Sequence, residues 1–358
     1  TIQQGESLKN VSRLAKAPAL ESLRYVGAQP KGLDKLGRLE ALVLYSELEA
    51  SAVVALLGKL PKLRRLGLNT RGIAAELRAF EQLEALELEL GGEEAADLVE
   101  TIRALPSLKE LQVAGFDSPA ETSRGNPGAQ IFERLEVLQL EKYEAVADLF
   151  PSFETVPNLR RLVFNRAGKG PKVLPSGLAS CAQLHEAMLG PCELAPGALD
   201  GLEALQKLER LELARSSLGK LPDGFAALGQ LRALSLADNP LDTLPDWIGQ
   251  LPLEELDLSG CPLKALPSSL TGLKQLKRLR LGAAELDAGQ VLPLVAELPA
   301  LRELSLHGMR NAGVPEVLGT LSSLDRLELH QCDFEGAGLG PLRMSLPTTL
   351  VVERRGWF

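Results

Sequence analysis

Basic residues fall short of acidic ones in this sequence: 39 Lys and Arg stand against 47 Asp and Glu, a formal net charge of −8 at pH 7. A surface that coats phosphates needs a basic surplus, so the balance argues against a nucleic-acid ligand. Aromatic residues are scarce at 4%, which leaves few faces on which bases could stack. No run of about eighteen uncharged apolar residues occurs, so no membrane-spanning helix is expected. The opening residues Thr1 to Glu6 carry neither the basic lead nor the apolar block of a secretory signal. The four cysteines, Cys181, Cys192, Cys261 and Cys332, lack CxxC spacing. Read as reduced thiols, they favour a cytoplasmic location.

Leucine, by contrast, recurs at fixed intervals. Hydrophobic residues make up 45% of the 358 positions and charged residues 24%, enough for a large core and a soluble surface. One phrase repeats along the chain: leucine, two variable residues, leucine, one variable residue, leucine. It occurs at Leu39/Leu42/Leu44, Leu63/Leu66/Leu68, Leu135/Leu138/Leu140, Leu208/Leu211/Leu213, Leu231/Leu234/Leu236, Leu253/Leu256/Leu258 and Leu324/Leu327/Leu329, among others. Leu20/Leu23/Tyr25 and Leu184/Ala187/Leu189 are degenerate copies, and a last strand is expected around Leu350 and Val352. About fifteen turns result, with a period of roughly 20–27 residues.

Within the phrase the second and third apolar residues are two apart, which places both on one face of a short strand and the residues beside them on the other. A single turn cannot bury its leucines, but stacked turns share a continuous core and pair their strands into a parallel sheet. The segments returning to the next strand are of two kinds. Ala50–Leu60, Glu93–Leu105 and Asp287–Leu298 have apolar residues at helical spacing. From Leu174 to Leu273 they read Leu-Pro-x-x-apolar, as in Leu244-Pro245-Asp246-Trp247-Ile248, and suit short 3-10 turns opened by proline.

Over essentially its whole length the chain resembles the leucine-rich-repeat superfamily, and the block from Leu244 to Leu251 resembles Ras-suppressor-type and bacterial effector repeats. The resemblance implies an α/β solenoid, a right-handed horseshoe with its parallel sheet on the concave face and mixed helical and 3-10 segments on the convex side. Residues 1–19 are expected to cap the first turn, 20–345 to form the solenoid, and 346–358 to cap the last. The resemblance also implies protein recognition without catalysis. Fold alone names no partner.

Candidate chemistry is thin. Three residues past the last strand leucine the family places Asn or Cys, and here that position holds Cys192, Asn239, Cys261 and Cys332, which are expected to form a buried ladder. Cys181 fits a return segment facing the core. His185-Glu186 lacks the second histidine of a zinc-protease helix, and Gly168-Lys169-Gly170 lacks the phosphate-loop frame. His307 and His330 fall in one column on adjacent strands with Glu353 as a third candidate ligand, yet no tightly bound metal and no cofactor are expected.

The outward columns say more. Immediately before the middle leucine the residues run Glu110, Val137, Arg161, Glu186, Arg210, Ala233, Glu255, Arg278, Glu303, Arg326, with alternating signs. The next column holds Gln139, Val163, Met188 and Glu212. Val137, Val163 and Met188 thus put apolar side chains where water is expected, with Gln139, Arg161, Glu186, Arg210 and Glu212 around them, the pattern of an interface core and polar rim. Residues 115–130 interrupt the repeat with turn formers, and Phe116 and Tyr143 border that insertion. The reading is a monomeric, non-enzymatic scaffold gripping another protein on its concave face. The alternative is the substrate-recognition part of a larger enzyme or secreted bacterial effector, for example of ubiquitin-ligase type. An additional domain in the full gene would favour that alternative.

Overall fold

Each copy of the leucine phrase becomes a strand whose leucines turn inward. In this computed structural model Leu211, Leu213, Leu234, Leu236, Leu256 and Leu258 are buried to 2% exposure or less. Arg210 between them is exposed, and Glu212, Ser235 and Asp257 are half-buried on the opposite face. The structure describes residues 11–354 apart from 18, 27–30, 46–54, 71–75, 91–99, 116–131, 142–151, 166–172, 175, 192, 195–196, 283–285, 310–317, 319–320, 322 and 333–349. The insertion at 116–130, Phe116, Tyr143 and Cys192 therefore lie outside the described residues.

The chain divides into two compact units, Thr1–Cys181 and Ala182–Phe358. The first contains β1 (Ser22–Val26), β2 (Ala41–Tyr45), β3 (Arg65–Thr70), β4 (Ala85–Leu90), β5 (Glu110–Gly115), β6 (Val137–Glu141), β7 (Arg161–Asn165) and the two-residue β8 (Val173–Leu174). From β1 to β7 each strand pairs in parallel with the next. The second contains β9 (Glu186–Met188), the two-residue β10 (Glu193–Leu194), β11 (Arg210–Glu212), β12 (Ala233–Ser235), β13 (Glu255–Ser259), β14 (Arg278–Gly282), β15 (Glu303–His307), β16 (Arg326–His330) and β17 (Leu350–Arg354). Here β9 pairs with β11, and the order then runs in sequence to β17. Middle leucines stand opposite one another along most of these pairings, as Leu256 does Leu279 and Leu279 does Leu304, with Ala187 opposite Leu211 and Val351 opposite Leu327 as the exceptions.

The return segments follow local sequence. Pro222, Pro245 and Pro267 sit just ahead of 3-10 turns at Asp223–Ala227, Asp246–Gln250 and Ser268–Gly272, one position earlier than expected. An extended residue there needs no amide hydrogen, so proline fits at no loss. Of the returns expected to be helical, residues 55–57 and 100–103 are α-helical. The helix near the C-terminal end, α1 (Ala288–Ala296), is capped by the Asp287 carboxylate, which accepts from the Gly289 amide at 2.8 Å. Val291, Leu292 and Val295 are its buried residues. Returns in the first unit also include 3-10 turns, at Leu33–Lys35, Glu76–Ala79 and Phe153–Thr155, which the helical spacing did not indicate.

The ladder position behaves as its chemistry requires. The Asn239 side chain is 1% exposed and bonds only to backbone. In the following turn the Cys261 thiol donates to the Leu236 carbonyl at 3.2 Å, and Cys332 donates to the Leu306 carbonyl at 3.4 Å. Cys181 faces the core, its thiol 3.5 Å from the Val156 carbonyl. Burial pushes the Cys181 thiol up to about 12 and raises that of Cys261. Neither is poised to ionise as a nucleophile.

The last strand departs from expectation. Leu350 pairs with Arg326 and Val352 with Glu328, so both occupy outward columns, while Val351 and Glu353 take the leucine positions. Glu353 is consequently not in the histidine column, where Arg354 stands opposite His330. Three consecutive apolar residues do not specify a face, so neighbouring hydrogen bonds set the register instead.

Burial at the middle leucines has a measurable consequence. Leu234 is 2% exposed, and Leu234→Ala should lower unfolding free energy by about 2–5 kcal/mol through the cavity it leaves. Urea melts showing a loss under about 1 kcal/mol would contradict that packing.

Candidate functional site

With the leucines turned inward, the opposite face of each sheet is an array of short columns one strand apart. At about 4.8 Å between strands, neighbouring charges lie within reach of one another. In the first unit Arg65 on β3 crosses Ala85 to reach Glu110 on β5, its nitrogen 2.8 Å from the carboxylate. In the second, Arg210 on β11 crosses Ala233 to Glu255 on β13 at 3.5 Å, and Arg278 on β14 grips the same carboxylate from the other side. A small residue on the intervening strand is what lets a long side chain span two spacings. Arg280 pairs with Asp257 at 3.3 Å. The alternating signs in the sequence thus become ion pairs, some adjacent and some across a strand.

Two depressions result on the open face of the second unit. One, of about 210 Å³, lies over Ala233 and Ser235 between Arg210 and Glu212 on one side and Glu255 and Asp257 on the other. A second, of about 230 Å³, lies over Ser305 between Arg278 and Arg280 on one side and Arg326 and Glu328 on the other. Both form where an outward residue is small, and the arginines of β14 form the ridge between them. Ala233 belongs to the first outward column and Ser235 to the second, but column membership does not indicate the hollow. Its signal was available in the contrast between small residues on β12 and long ones on β11 and β13.

A second row of charge runs along the strand entrances. In the first unit Glu84 lies between Arg64 and Lys109, and in the second Glu254 lies between Arg232 and Lys277. The hydrogen bonds from Lys109 and then Arg64 hold the Glu84 carboxyl below the usual range, and those from Lys277 and Arg232 do the same for Glu254. On β16, burial, the largest influence on Glu328, pushes its carboxyl up, but bonds from Arg326 and His330 carry it below the ordinary value. The His307 and His330 rings are 6.1 Å apart edge to face, somewhat further than strand spacing suggests. His307 contacts Gln331 at 3.0 Å and His330 contacts Glu328 at 3.4 Å. Among the described residues no group of three or more His, Cys, Asp or Glu is arranged to hold a metal ion.

The residues expected to form an apolar centre belong to both units. In the first, Val137 and Gln139 lie on β6 and Arg161 and Val163 on β7, with Gln139 and Val163 opposite in register. Val163 is only 6% exposed, so it offers a partner almost no surface despite its outward position. Column membership alone does not reveal that burial. Val137, Gln139 and Arg161 are half-buried. In the second unit Glu186 and Met188 lie on β9, opposite Arg210 and Glu212 on β11. Met188, Glu186 and Glu212 are half-buried and Arg210 is exposed. Trp247, in the Leu-Pro-x-x-apolar block, is half-buried, its indole donating to Asp223 at 3.4 Å.

Comparison with known proteins agrees with this architecture. A family model described as a leucine-rich repeat region matches residues 222–346. No curated protein matches at the sequence level. Among solved structures, a leucine-rich-repeat protein of Leptospira interrogans is similar with a TM-score of 0.60 at 22% identity, covering 98% of this chain and 99% of that one. An internalin of Listeria monocytogenes gives 0.57 at 16% identity, over 97% and 89% of the two chains. A plant peptide hormone receptor, RGFR1, solved in complex with RGF2, gives 0.58 at 19% identity, and there the match spans 95% of this chain and 56% of the receptor's. At these identities the likeness concerns the fold. No helix among the described residues is long and apolar enough to cross a membrane.

Proposed function

We propose that this leucine-rich-repeat chain is a non-enzymatic scaffold that binds another protein on the open face of its strands. The fold is commonly a protein-binding scaffold, and the plant peptide hormone receptor similar to it was solved in complex with RGF2. The observation that carries the reading is the pair of adjoining depressions on the second unit, walled by Arg210, Arg278, Arg280 and Arg326 and their carboxylate partners. Hollows of this size admit one partner side chain each, while the charged walls set orientation and association rate. Gln139 and Arg161 in the first unit, and Glu186, Met188, Arg210 and Glu212 in the second, are further contact residues in this proposal. Arginine is enriched in interfaces because its planar head pairs in two directions at once.

The purified chain serves as bait, retained proteins are identified by mass spectrometry, and affinity for the best of them is measured by calorimetry. Ser235→Arg fills the first depression and should weaken binding at least about tenfold, or about 1.4 kcal/mol. Its melting temperature should stay unchanged, because position 235 faces solvent. Met188→Lys should act in the same direction. Retention of nucleic acid in place of protein, or normal affinity in both variants, would overturn the reading.

A further inference from the structure

The open face of the first unit carries a feature of another kind. Val26 is 44% exposed, the one large hydrophobic residue so open among those described. It ends β1 directly opposite Tyr45 of β2. The tyrosine is held from several sides. Its hydroxyl donates to Glu87 on β4 at 2.5 Å, reaching across β3. The Arg24 guanidinium stands 5.7 Å from the ring centroid and 3.7 Å from the same carboxylate. Gly67 makes the crossing possible: a Cβ there would meet Val43 at 2.9 Å and the Glu87 oxygen at 3.3 Å. Burial, with the Glu87 bond, pushes the Tyr45 phenol up to about 12, so it stays a donor at any physiological pH. A ring fixed in this way loses little further freedom when a partner covers it, and Tyr and Arg are the residues that most often dominate interface energies.

The charges around the ring are uneven. Arg24 is engaged with Glu87, and Arg65 with Glu110. Glu89 on β4 lies two strands from Tyr45 in the same outward column, past Asn69, and among the described residues it has neither ion pair nor hydrogen bond. Two strand spacings are about 10 Å, which three residues of a polyproline-II helix cover at about 3.1 Å each, with the first and fourth side chains on the same side.

We propose that the open face of β1–β4 docks a peptide segment of the partner in the polyproline-II conformation, whose every third side chain faces the same way. An aliphatic side chain lies on Val26 and Tyr45, and a Lys or Arg three residues along meets Glu89. The assignment rests on the protein-binding function above and adds the chemistry of the partner. A basic segment fits because the nearby cations are already matched while Glu89 is not, and because the chain as a whole carries −8. An acidic segment would find no unmatched cation here among the described residues.

A displayed library of short random peptides, panned on the full chain, tests this. Enriched sequences should pair an aliphatic residue with Lys or Arg three positions away, a spacing set by the three-residue repeat of polyproline II. For the best synthetic peptide, Val26→Asp and Glu89→Lys should each weaken binding at least tenfold. Exchanging the peptide's basic residue for Glu should restore affinity for the Glu89→Lys chain, which a merely misfolded variant could not do. Enrichment of acidic peptides, enrichment of nothing, or peptides indifferent to both substitutions would overturn the assignment. Peptides that instead lose affinity with Ser235→Arg would overturn it while leaving the proposed function standing.

Discussion

Asn239→Ala should destabilise the chain by at least about 3–4 kcal/mol, because it strands several buried backbone groups at once. The native side chain donates to the carbonyls of Leu213 and Leu236 at 2.7 and 2.8 Å. Its oxygen accepts from the amides of Ser216 and Leu218, both at 3.0 Å. Alanine satisfies none of these four, and an unsatisfied buried group costs about 1–3 kcal/mol, partly recovered where water enters. Asn239→Cys should cost less, since the thiol of Cys261 one turn later already bonds the Leu236 carbonyl and fits the same kind of site. Asn239→Asp should resemble alanine, because a carboxylate would face two carbonyls with no hydrogen to offer. Urea melts of the three variants decide the matter. A loss under about 1 kcal/mol for alanine, or cysteine worse than alanine, would show that the ladder does not hold these turns.

That ladder was readable in the sequence because its chemistry is local: a residue at fixed distance from the last leucine, with a side chain able to bond backbone. The strand register was readable for the same reason, since Leu234 and Leu236 can share a face only in one alternation. What escaped reading depends on neighbours from other turns. Val163 belongs to an outward column yet is 6% exposed, which follows from the side chains around it and not from its own position. Arg210 reaches past Ala233 to Glu255, a span that nearest-strand pairing does not suggest. The depressions over Ala233, Ser235 and Ser305 come from the same source, the contrast in side-chain length between adjacent strands. Leu350-Val351-Val352 offered a strand but no alternation to read, so its register is set only by pairing with β16. Val26 and Tyr45 each stand just past a phrase, Leu20/Leu23/Tyr25 and Leu39/Leu42/Leu44, where the pattern assigns no role, and Gly67, which opens the path from Tyr45 to Glu87, shows its role only once three strands are side by side.

The return segments of the second unit should respond as strongly as the ladder. Phe225, the apolar residue of Leu221-Pro222-Asp223-Gly224-Phe225, is fully buried beneath its 3-10 turn. The Trp247 ring of the next turn stands 6.3 Å away at 49°, and its indole donates to Asp223. Phe225→Ala removes the ring that fills this turn and should cost about 3–5 kcal/mol in a denaturant melt of the full chain. Phe225→Leu keeps most of the volume and should cost about 1.5 kcal/mol or less. The alanine variant should also shift Trp247 emission to longer wavelength, as water gains access to the face that Phe225 covers; a Trp357→Phe background isolates that signal, since the chain has two tryptophans. An alanine variant that melts within about 1 kcal/mol of the parent would show that the proline-led turns collapse around a lost side chain. Their burial of Phe225, Ile248 and Leu270 would then be a less rigid feature of the repeat than the structure indicates.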